Sequence, residues 1–423
     1  MTMIAVYADW ASLRGPRRLG WLHVRAARAA SVFEFEYDPA ALADPELTFI
    51  DLDPRIRRFT GRQFTGQQQS RFGVFADSSP DRWGHVLMQR RLERDIRDGL
   101  APAGARLRES DLLLGVHDLY RVGALRYRLD DQGAFLDDRN GLAAPPFVEL
   151  RALEHASRAL ENDPENTAAD GRQWLRMLIA PGGSLGGARP KASVADEQGH
   201  LWIAKFPSAR DEHDVGAWEM LVNALASHCG LRVPGAMAQR FASDHHCFMV
   251  KRFDRNNGGG RLHFASAMTL TDRTDGDDAS TGASYLELAE VLMAHGSQTR
   301  VDLRELWSRI VFNLLVSNTD DHLRNHGFIL EPGRGWRLSD AYDMNPTTHA
   351  DGLKLNITEA DNALDLELAR EVAPYFRLTR AEAEAIIEHC QSVVRQWPTL
   401  AKALGLSRRE QERMALAFRL ADH

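Results

Sequence analysis

Cysteine is scarce in this 423-residue chain. The three that occur, Cys229, Cys247 and Cys390, stand far apart with no C-x-x-C pair, which suggests neither a disulfide framework nor a zinc site. Long apolar runs are missing too: no stretch reaches the length that spans a bilayer, and the opening MTMIAVYADW lacks the basic start and apolar core of a signal peptide. The expectation is a soluble protein of a reducing cytoplasm. Positive charge is not in excess, since 52 Lys and Arg stand against 59 Asp and Glu for a net charge of -7. Without a global positive field, unaided binding to nucleic acid is disfavoured, local basic patches aside. No internal repeat is visible. What remains is ordinary for a packed globular protein, with 44% hydrophobic and 26% charged residues. The length exceeds what one core sustains, so two or three packed units are expected.

The first forty residues read as short strands, GWLHV and then SVFEFEYD, in which Phe33, Phe35 and Tyr37 alternate with Glu34 and Glu36; that period predicts one buried and one wet face. In FADSSPDRWGHVLMQRRLERDIRDG, Ser79 is a candidate N-cap and Pro80 a first helical residue, for a charged helix ending near Gly99. Residues 111–128 read as apolar and strand-like, and RQWLRMLI as helical. A β, α, β order follows: LWIAKF, then GAWEMLVNALASHCG with Trp218, Leu221, Val222, Leu225 and Cys229 at helical spacing before Gly230, then CFMVKRF. Residues 255–283 have the composition of a connector with little packing. Beyond it Leu303, Leu306, Trp307, Ile310, Val311, Leu314 and Leu315 form one apolar helical stripe, and 379–420 reads as further helices. The expected division is a β-rich N-terminal subdomain over 1–110, a second part over 111–255, and a helical part over 256–423.

Phosphoryl transfer from ATP asks three things of a protein: a carboxylate to orient the attacking hydroxyl, an oxygen ligand for Mg²⁺, and a second carboxylate for the metal on the phosphates. In SNTDDHLRNHGFIL and the following WRLSDAYDMNP, the residues Asp320, Asn325 and Asp343 can supply them. The Asp320-x-x-x-x-Asn325 spacing equals that of the protein-kinase catalytic loop. On its own such a match is weak, because Asp and Asn also populate turns and caps. Asp321 falls one residue short of the spacing and reads as a solvated or capping residue. His322 reads equally as a neighbour of nucleotide or as the end of a turn.

Two further segments bear on ATP. In PGGSLGGARPK the glycines, Gly186 and Gly187 among them, let main-chain N–H groups approach phosphate oxygens, and Lys191 adds a point charge; a plain turn is the alternative. Ser184 inside that loop is a candidate for self-phosphorylation, or an exposed serine without a role. Lys205 closes the apolar run LWIAK as the phosphate-binding lysine does in kinases, unless it only snorkels from a strand end. Glu219 is its candidate carboxylate partner, or a first-turn glutamate favoured by the helix dipole.

Taken in order, SSPDRWG, RVGAL, GGSLGGARPKA, LWIAKF, VKRFDR, SNTDDHLRNHGF and LSDAYDMNP resemble the signatures of the HipA-like kinases, and the likeness covers most of the chain. The resemblance implies an α+β, two-lobed protein-kinase-like fold related to eukaryotic protein and phosphoinositide kinases. In it ATP lies between an α/β N-terminal lobe, extended by the small β-rich subdomain, and an all-helical C-terminal lobe. It makes Asp320 the catalytic base, Asn325 and Asp343 the Mg²⁺ ligands, and Lys205 the contact to the ATP phosphates. Lys251 and Phe253 would meet adenine at the hinge, largely through the backbone, and Ser184 would be the autophosphorylated serine whose modification expels the loop. Family members often pair with a small helix-turn-helix antitoxin that brings DNA binding, which suits an acidic chain. The family's studied toxins phosphorylate aminoacyl-tRNA synthetases.

Two departures stand out. The loop reads Ala188-Arg189-Pro190-Lys191 where the family has a Gln-Glu-Lys run, and Pro190 removes one N–H that would face phosphate. After the hinge stands His263-Phe264-Ala265-Ser266-Ala267-Met268 in place of a His-Gln-Glu-Asp-like stretch, which points to a divergent branch. The activity expected is an ATP- and Mg²⁺-dependent Ser/Thr protein kinase. The alternatives are a nucleotide-binding regulatory or co-repressor module and a phosphotransferase acting on a small molecule or lipid.

Overall fold

The alternation in SVFEFEY does produce a strand, in the middle of a five-stranded antiparallel sheet. The computed structural model describes residues 2–26, 31–47, 51–65, 71–130, 132–136, 145–179, 187, 189–349 and 351–422. They divide into two compact units, Met1–Arg210 with Phe241–Asp244 and Met249–Ala265, and Asp211–Arg240 with His245–Phe248 and Ser266–His423.

In the first unit the strands β1 (Thr2–Ala8), β2 (Arg17–Ala26), β3 (Ser31–Tyr37), β4 (Arg62–Phe64) and β5 (Leu125–Arg128) lie in the order β4-β3-β2-β1-β5. Phe33, Phe35 and Tyr37 are buried, and the Phe35 ring stands 5.7 Å from Phe75, itself 6.3 Å from Tyr127. The other face of β3 is not uniformly wet. Glu34 is 0% exposed and pairs with Arg25 and, at 3.2 Å, with Arg62, because a carboxylate in mid-sheet stays ionised only where guanidinium groups replace water. In β2, Gly20 lies opposite Tyr37, where a Cβ would collide with the Glu36 carbonyl oxygen.

The charged helix runs Arg82–Arg97, and its N-cap is Asp81 in place of Ser79. The Asp81 carboxylate accepts from the Gly84 N–H at 2.7 Å, while the Ser79 hydroxyl donates backwards to the Phe75 carbonyl. The start of the segment 111–128, expected as strand, belongs to the helix Glu109–Leu114: the Asp111 carboxylate accepts from the Arg108 N–H at 2.9 Å, a local cap that apolar content alone does not reveal. β6 (Lys191–Ala195) and β7 (Leu201–Lys205) form a hairpin.

Three of the signature segments meet in this unit. Arg121 of RVGAL donates to the carbonyls of Ser78, Leu113 and Val116 at 2.6–2.9 Å. Arg252 of VKRFDR donates to the Tyr120 carbonyl at 2.8 Å and to Asp254 at 2.7 Å, and Asp254 accepts from the Gly123 N–H at 2.9 Å. Burial raises the Asp254 carboxyl, but Arg252 and Arg255 outweigh it and hold the group well below the usual carboxylate range.

The second unit is mostly helical; among its described strands are Ala236–Gln239 and the antiparallel hairpin Gly327–Glu331 and Gly335–Leu338, in which Phe328 lies opposite Leu338. The whole expected stripe of the helix Thr299–Val316 is buried, but so are Phe312 and Val316 on its other sides; it is a central helix and not an amphipathic surface one. Residues 255–283 also pack better than their composition suggests. They include the helix Ala267–Leu270, capped by Ser266, and the buried His263, Ala265, Met268 and Thr269. Among the described residues no helix is long and apolar enough to cross a membrane.

His263 is buried 6.1 Å from the Trp10 ring, and burial pushes its imidazole from the ordinary 6.5 down to about 3. Between those values the unfolded chain takes up a proton that the folded chain refuses. The stability tied to the neutral ring is therefore full above pH 6.5 and falls as the pH drops from 6.5 towards 3. In urea titrations across that window, His263→Phe is expected to lose less stability on acidification than the wild type; an equal loss in both refutes this account.

Candidate active site

A row of polar side chains along the central helix prepares the site. Asp302, Glu305, Arg309 and Asn313 recur at intervals that place them on one helix face, and all four are buried. Asp302 accepts from Arg232, from Arg337 and from the Leu338 N–H at 2.8–3.1 Å. Arg309, held by Glu305, donates to the Ser339 carbonyl at 2.6 Å. Asn313 donates to Asp321 at 2.7 Å. Asp302, Arg309 and Asn313 thus fix different parts of the downstream segment from 321 to 339, with Glu305 holding Arg309, which the apolar stripe gave no reason to expect.

The helix ends abruptly. Ser317 adopts a left-handed conformation with φ +49°, its hydroxyl bonded to the Ala417 carbonyl at 2.7 Å, and the chain turns at once into the loop that carries Asp320. Asp321, read from the sequence as solvated or capping, is instead 3% exposed. One of its oxygens receives the Tyr285 hydroxyl at 2.5 Å, Asn313 at 2.7 Å and the His326 ring at 2.8 Å. Burial works to raise this carboxyl, but His326 and these hydrogen bonds overcome it and hold the group below its usual value. The same burial, with Asp321 beside it, drives the Tyr285 phenol well above its ordinary range. Alternation turns one of two adjacent aspartates inward, and the other, Asp320, is exposed.

Asp320 is fixed through its backbone. Its carbonyl accepts from the His322 N–H at 2.9 Å and from the Asn325 side-chain amide at 3.0 Å. Since only the NH₂ of Asn325 can donate to a carbonyl, the amide oxygen is the end left for another partner. Half-buried His322 precedes the short 3₁₀ turn Leu323–Asn325 and finishes the loop.

Asp343 belongs to a segment laid against this loop. Tyr342 donates to the Arg324 carbonyl at 2.7 Å, the Asn345 N–H to the Asn318 side chain at 3.1 Å and the Thr347 N–H to the Ser317 carbonyl at 3.0 Å. Bonds on both sides of Asp343 thus bring it alongside the stretch holding Asp320 and Asn325. Asp343 itself is left-handed, φ +58°, a conformation Asp tolerates better than most residues and one found at functional turns. Asp340, which sequence reasoning passed over, is a second carboxylate of this segment; burial raises it despite Arg309 and Arg232.

The remaining expected site residues lie elsewhere. Lys205, at the end of β7, is 8% exposed and stands opposite Lys191 in the hairpin register. Lys191 is held at 2.9 Å by Asp81 in a buried ion pair, and its ammonium also donates to the Gly187 carbonyl at 3.1 Å. Gly187 is left-handed, φ +84°. Lys251 and Phe253 are half-buried, the Phe253 ring 6.2 Å from Phe264. Glu219 is buried in the helix Val215–His228. Ser184 and Gly186 lie outside the described residues.

Residues 183–397 match the family described as HipA-like C-terminal domain. A "Putative kinase" of Haemophilus influenzae is 26% identical over 180 residues, 38% of this chain and 52% of that protein. The "Putative kinase Y4mE" of Sinorhizobium fredii is 25% identical over 237 residues, 50% of this chain and 53% of that one. The chain spans about half the length of these curated relatives. Among solved structures it is similar to HipA of the Shewanella oneidensis MR-1 toxin-antitoxin system, in its complex with HipB and operator DNA, with a TM-score of 0.63 and 17% identity over 99% of this chain and 95% of that one. The fold is accordingly α+β and HipA-like.

Removing the Asp321 carboxylate leaves three buried donors facing nothing. Asp321→Ala is expected to cost roughly 3–5 kcal/mol, read by chemical denaturation. The folded-state depression also fixes a sign: this carboxylate's contribution is full above its ordinary value near ~4 and is lost as the pH falls further. A loss under about 1 kcal/mol would mean that the network is not what orders the loop.

Proposed function

Since the chain belongs to the HipA-like C-terminal domain family, we propose that it is an ATP- and Mg²⁺-dependent kinase that phosphorylates a Ser or Thr hydroxyl of a protein. The observation that carries this reading is the loop from 317 to 326. It buries Asp321, ties the backbone of Asp320 down twice and leaves the Asp320 side chain exposed. A general base needs that combination of fixed backbone and accessible carboxylate.

In the proposed mechanism Asp320 accepts a hydrogen bond from the attacking hydroxyl, orients its oxygen and takes up its proton during transfer. Asn325 and Asp343 would hold the magnesium ion. With the Asn325 nitrogen bonded to Asp320, its oxygen is available as a ligand, and two protein oxygens suffice for an ion that fills its other positions with phosphate oxygens and water. When bound, Mg²⁺ neutralises the charge of the phosphate groups. Lys205 is assigned to the ATP phosphates, Lys251 and Phe253 to the adenine, and Gly186, Gly187 and His322 to the rest of the nucleotide. Lys191 acts differently from a free point charge: its pairing with Asp81 favours a part in holding the end of the glycine loop, through the Gly187 carbonyl, over direct neutralisation of phosphate. The work of the chain is then positioning and electrostatics.

Self-phosphorylation at Ser184 belongs to this reading. So do an aminoacyl-tRNA synthetase as protein substrate and a cytoplasmic location. The partner is a small helix-turn-helix antitoxin, through which alone the chain meets DNA; this is supported by the HipB and operator DNA that accompany the Shewanella HipA and by the net charge of -7.

Incubation of the purified protein with Mg²⁺ and γ-labelled ATP, followed by intact-mass measurement, tests the assignment. One added phosphate is expected, absent in Ser184→Ala. Asp320→Asn is expected to slow transfer by roughly 10²- to 10⁴-fold with nucleotide binding retained in titration. Full transfer by Asp320→Asn would remove the base from the mechanism.

A further inference from the structure

Beside Asp320 the second unit holds a cavity of about 440 Å³, a size that admits a side chain with room to turn. Its walls come from Asp278–Ser280, from Thr319 and Asp320, from Thr347, and from 352–354 with Asn362. These stretches are fixed to one another by the backbone. The Ala279 N–H donates to the Lys354 carbonyl at 2.8 Å, Leu353 N–H to the Asn362 carbonyl at 2.8 Å, and Thr347 N–H to the Ser317 carbonyl at 3.0 Å. The Tyr285 N–H donates to the Asn356 carbonyl at 3.0 Å, so the residue whose phenol holds Asp321 also anchors the strip that carries Lys354. The cavity and the proposed base therefore share one scaffold, and the cavity is preformed.

The charges that line it are uneven. Two carboxylates, Asp278 and Asp320, line it together with a single ammonium, Lys354. One Asp278 oxygen is occupied by the Ser280 N–H at 2.9 Å and the Ser280 hydroxyl at 2.6 Å. The other meets the Lys354 ammonium only at 3.9 Å, with both side chains partly exposed. That is too long for a hydrogen bond, so this oxygen, beside the side chain's capping bonds to the turn that follows, has capacity for a second cation. A carboxylate or phosphate entering here would meet two like charges for one opposite charge; a guanidinium or ammonium meets the reverse.

We propose that this cavity receives the Lys or Arg side chain of a residue close in sequence to the acceptor hydroxyl, with Asp278 as the group that reads it and Lys354 as the cation that competes with it. The proposal rests on the kinase reading of Asp320.

The test compares the wild type, Asp278→Asn and Lys354→Met with Mg²⁺ and γ-labelled ATP on a positional-scanning library of serine-centred peptides, with self-phosphorylation followed in parallel. Asparagine keeps the oxygen that caps the following turn and loses only the charge. The wild type is expected to favour basic residues at a position flanking the serine, Asp278→Asn to lose up to about fivefold of that preference, and Lys354→Met to strengthen it by a similar factor. Self-phosphorylation should stay unchanged in both variants. No basic preference in the wild type, or one that neither variant moves while self-phosphorylation persists, overturns the cavity's role alone. Should Asp278→Asn fail to fold, an unmoved preference in Lys354→Met is sufficient to overturn it. A wild type that phosphorylates neither itself nor any peptide sinks the kinase reading, and this inference with it.

Discussion

A single buried carboxylate organises the second unit. Asp321 draws a phenol, an amide and an imidazole onto one oxygen, and each donor arrives from a different place in the chain. Tyr285 comes from the start of a helix, Asn313 from the last turns of the central helix, and His326 from the residue before the hairpin. An ionised group in an apolar interior is tolerable only with its partners in place, so all of these elements must be correctly arranged together. The neighbouring Asp320 inherits that order without taking part in it. Its carboxylate stays accessible while the backbone on both sides of it is held.

The central helix extends the same logic. A helix buried all round has no need of polar residues for solubility, so those it keeps inside must have specific partners. Asp302, Arg309 and Asn313 find theirs in the hairpin, in the residues just after it and in the loop, and Glu305 finds its partner in Arg309. The catalytic candidates are thereby placed from one rigid element, which suits chemistry that depends on position more than on reactivity.

In the first unit several residues of the ordered signatures also carry structure. Arg121 and Arg252 satisfy backbone carbonyls that would otherwise be buried without donors, and Asp254 balances Arg252 and Arg255. The Asp81–Lys191 pair joins the start of a long helix to the first strand of the hairpin. Asp81 caps that helix with one oxygen and holds the lysine with the other. Such residues resemble a functional motif in sequence because buried charge, like catalytic charge, allows few substitutes. Asp321 shows how this misleads, since it reads as a surface residue and is buried.

Periodicity and spacing in the sequence determined the strand SVFEFEY, the central helix and its apolar stripe, the end of the Val215–His228 helix at Gly230, and the family to which the ordered signatures belong. Those features depend on local geometry: side-chain period, a cap, a glycine where the backbone must turn left-handed. Only tertiary structure decided that Asp81 and not Ser79 caps its helix, that Glu34 is buried, and that of two adjacent aspartates Asp321 turns inward while Asp320 is exposed. It alone laid the segment that carries Asp343 against the loop that carries Asp320, through hydrogen bonds between residues 18 and 27 positions apart. The physical reason is the same throughout. Whether a charged side chain is solvated, paired or poised for chemistry depends on which distant donors reach it, and no local pattern records those.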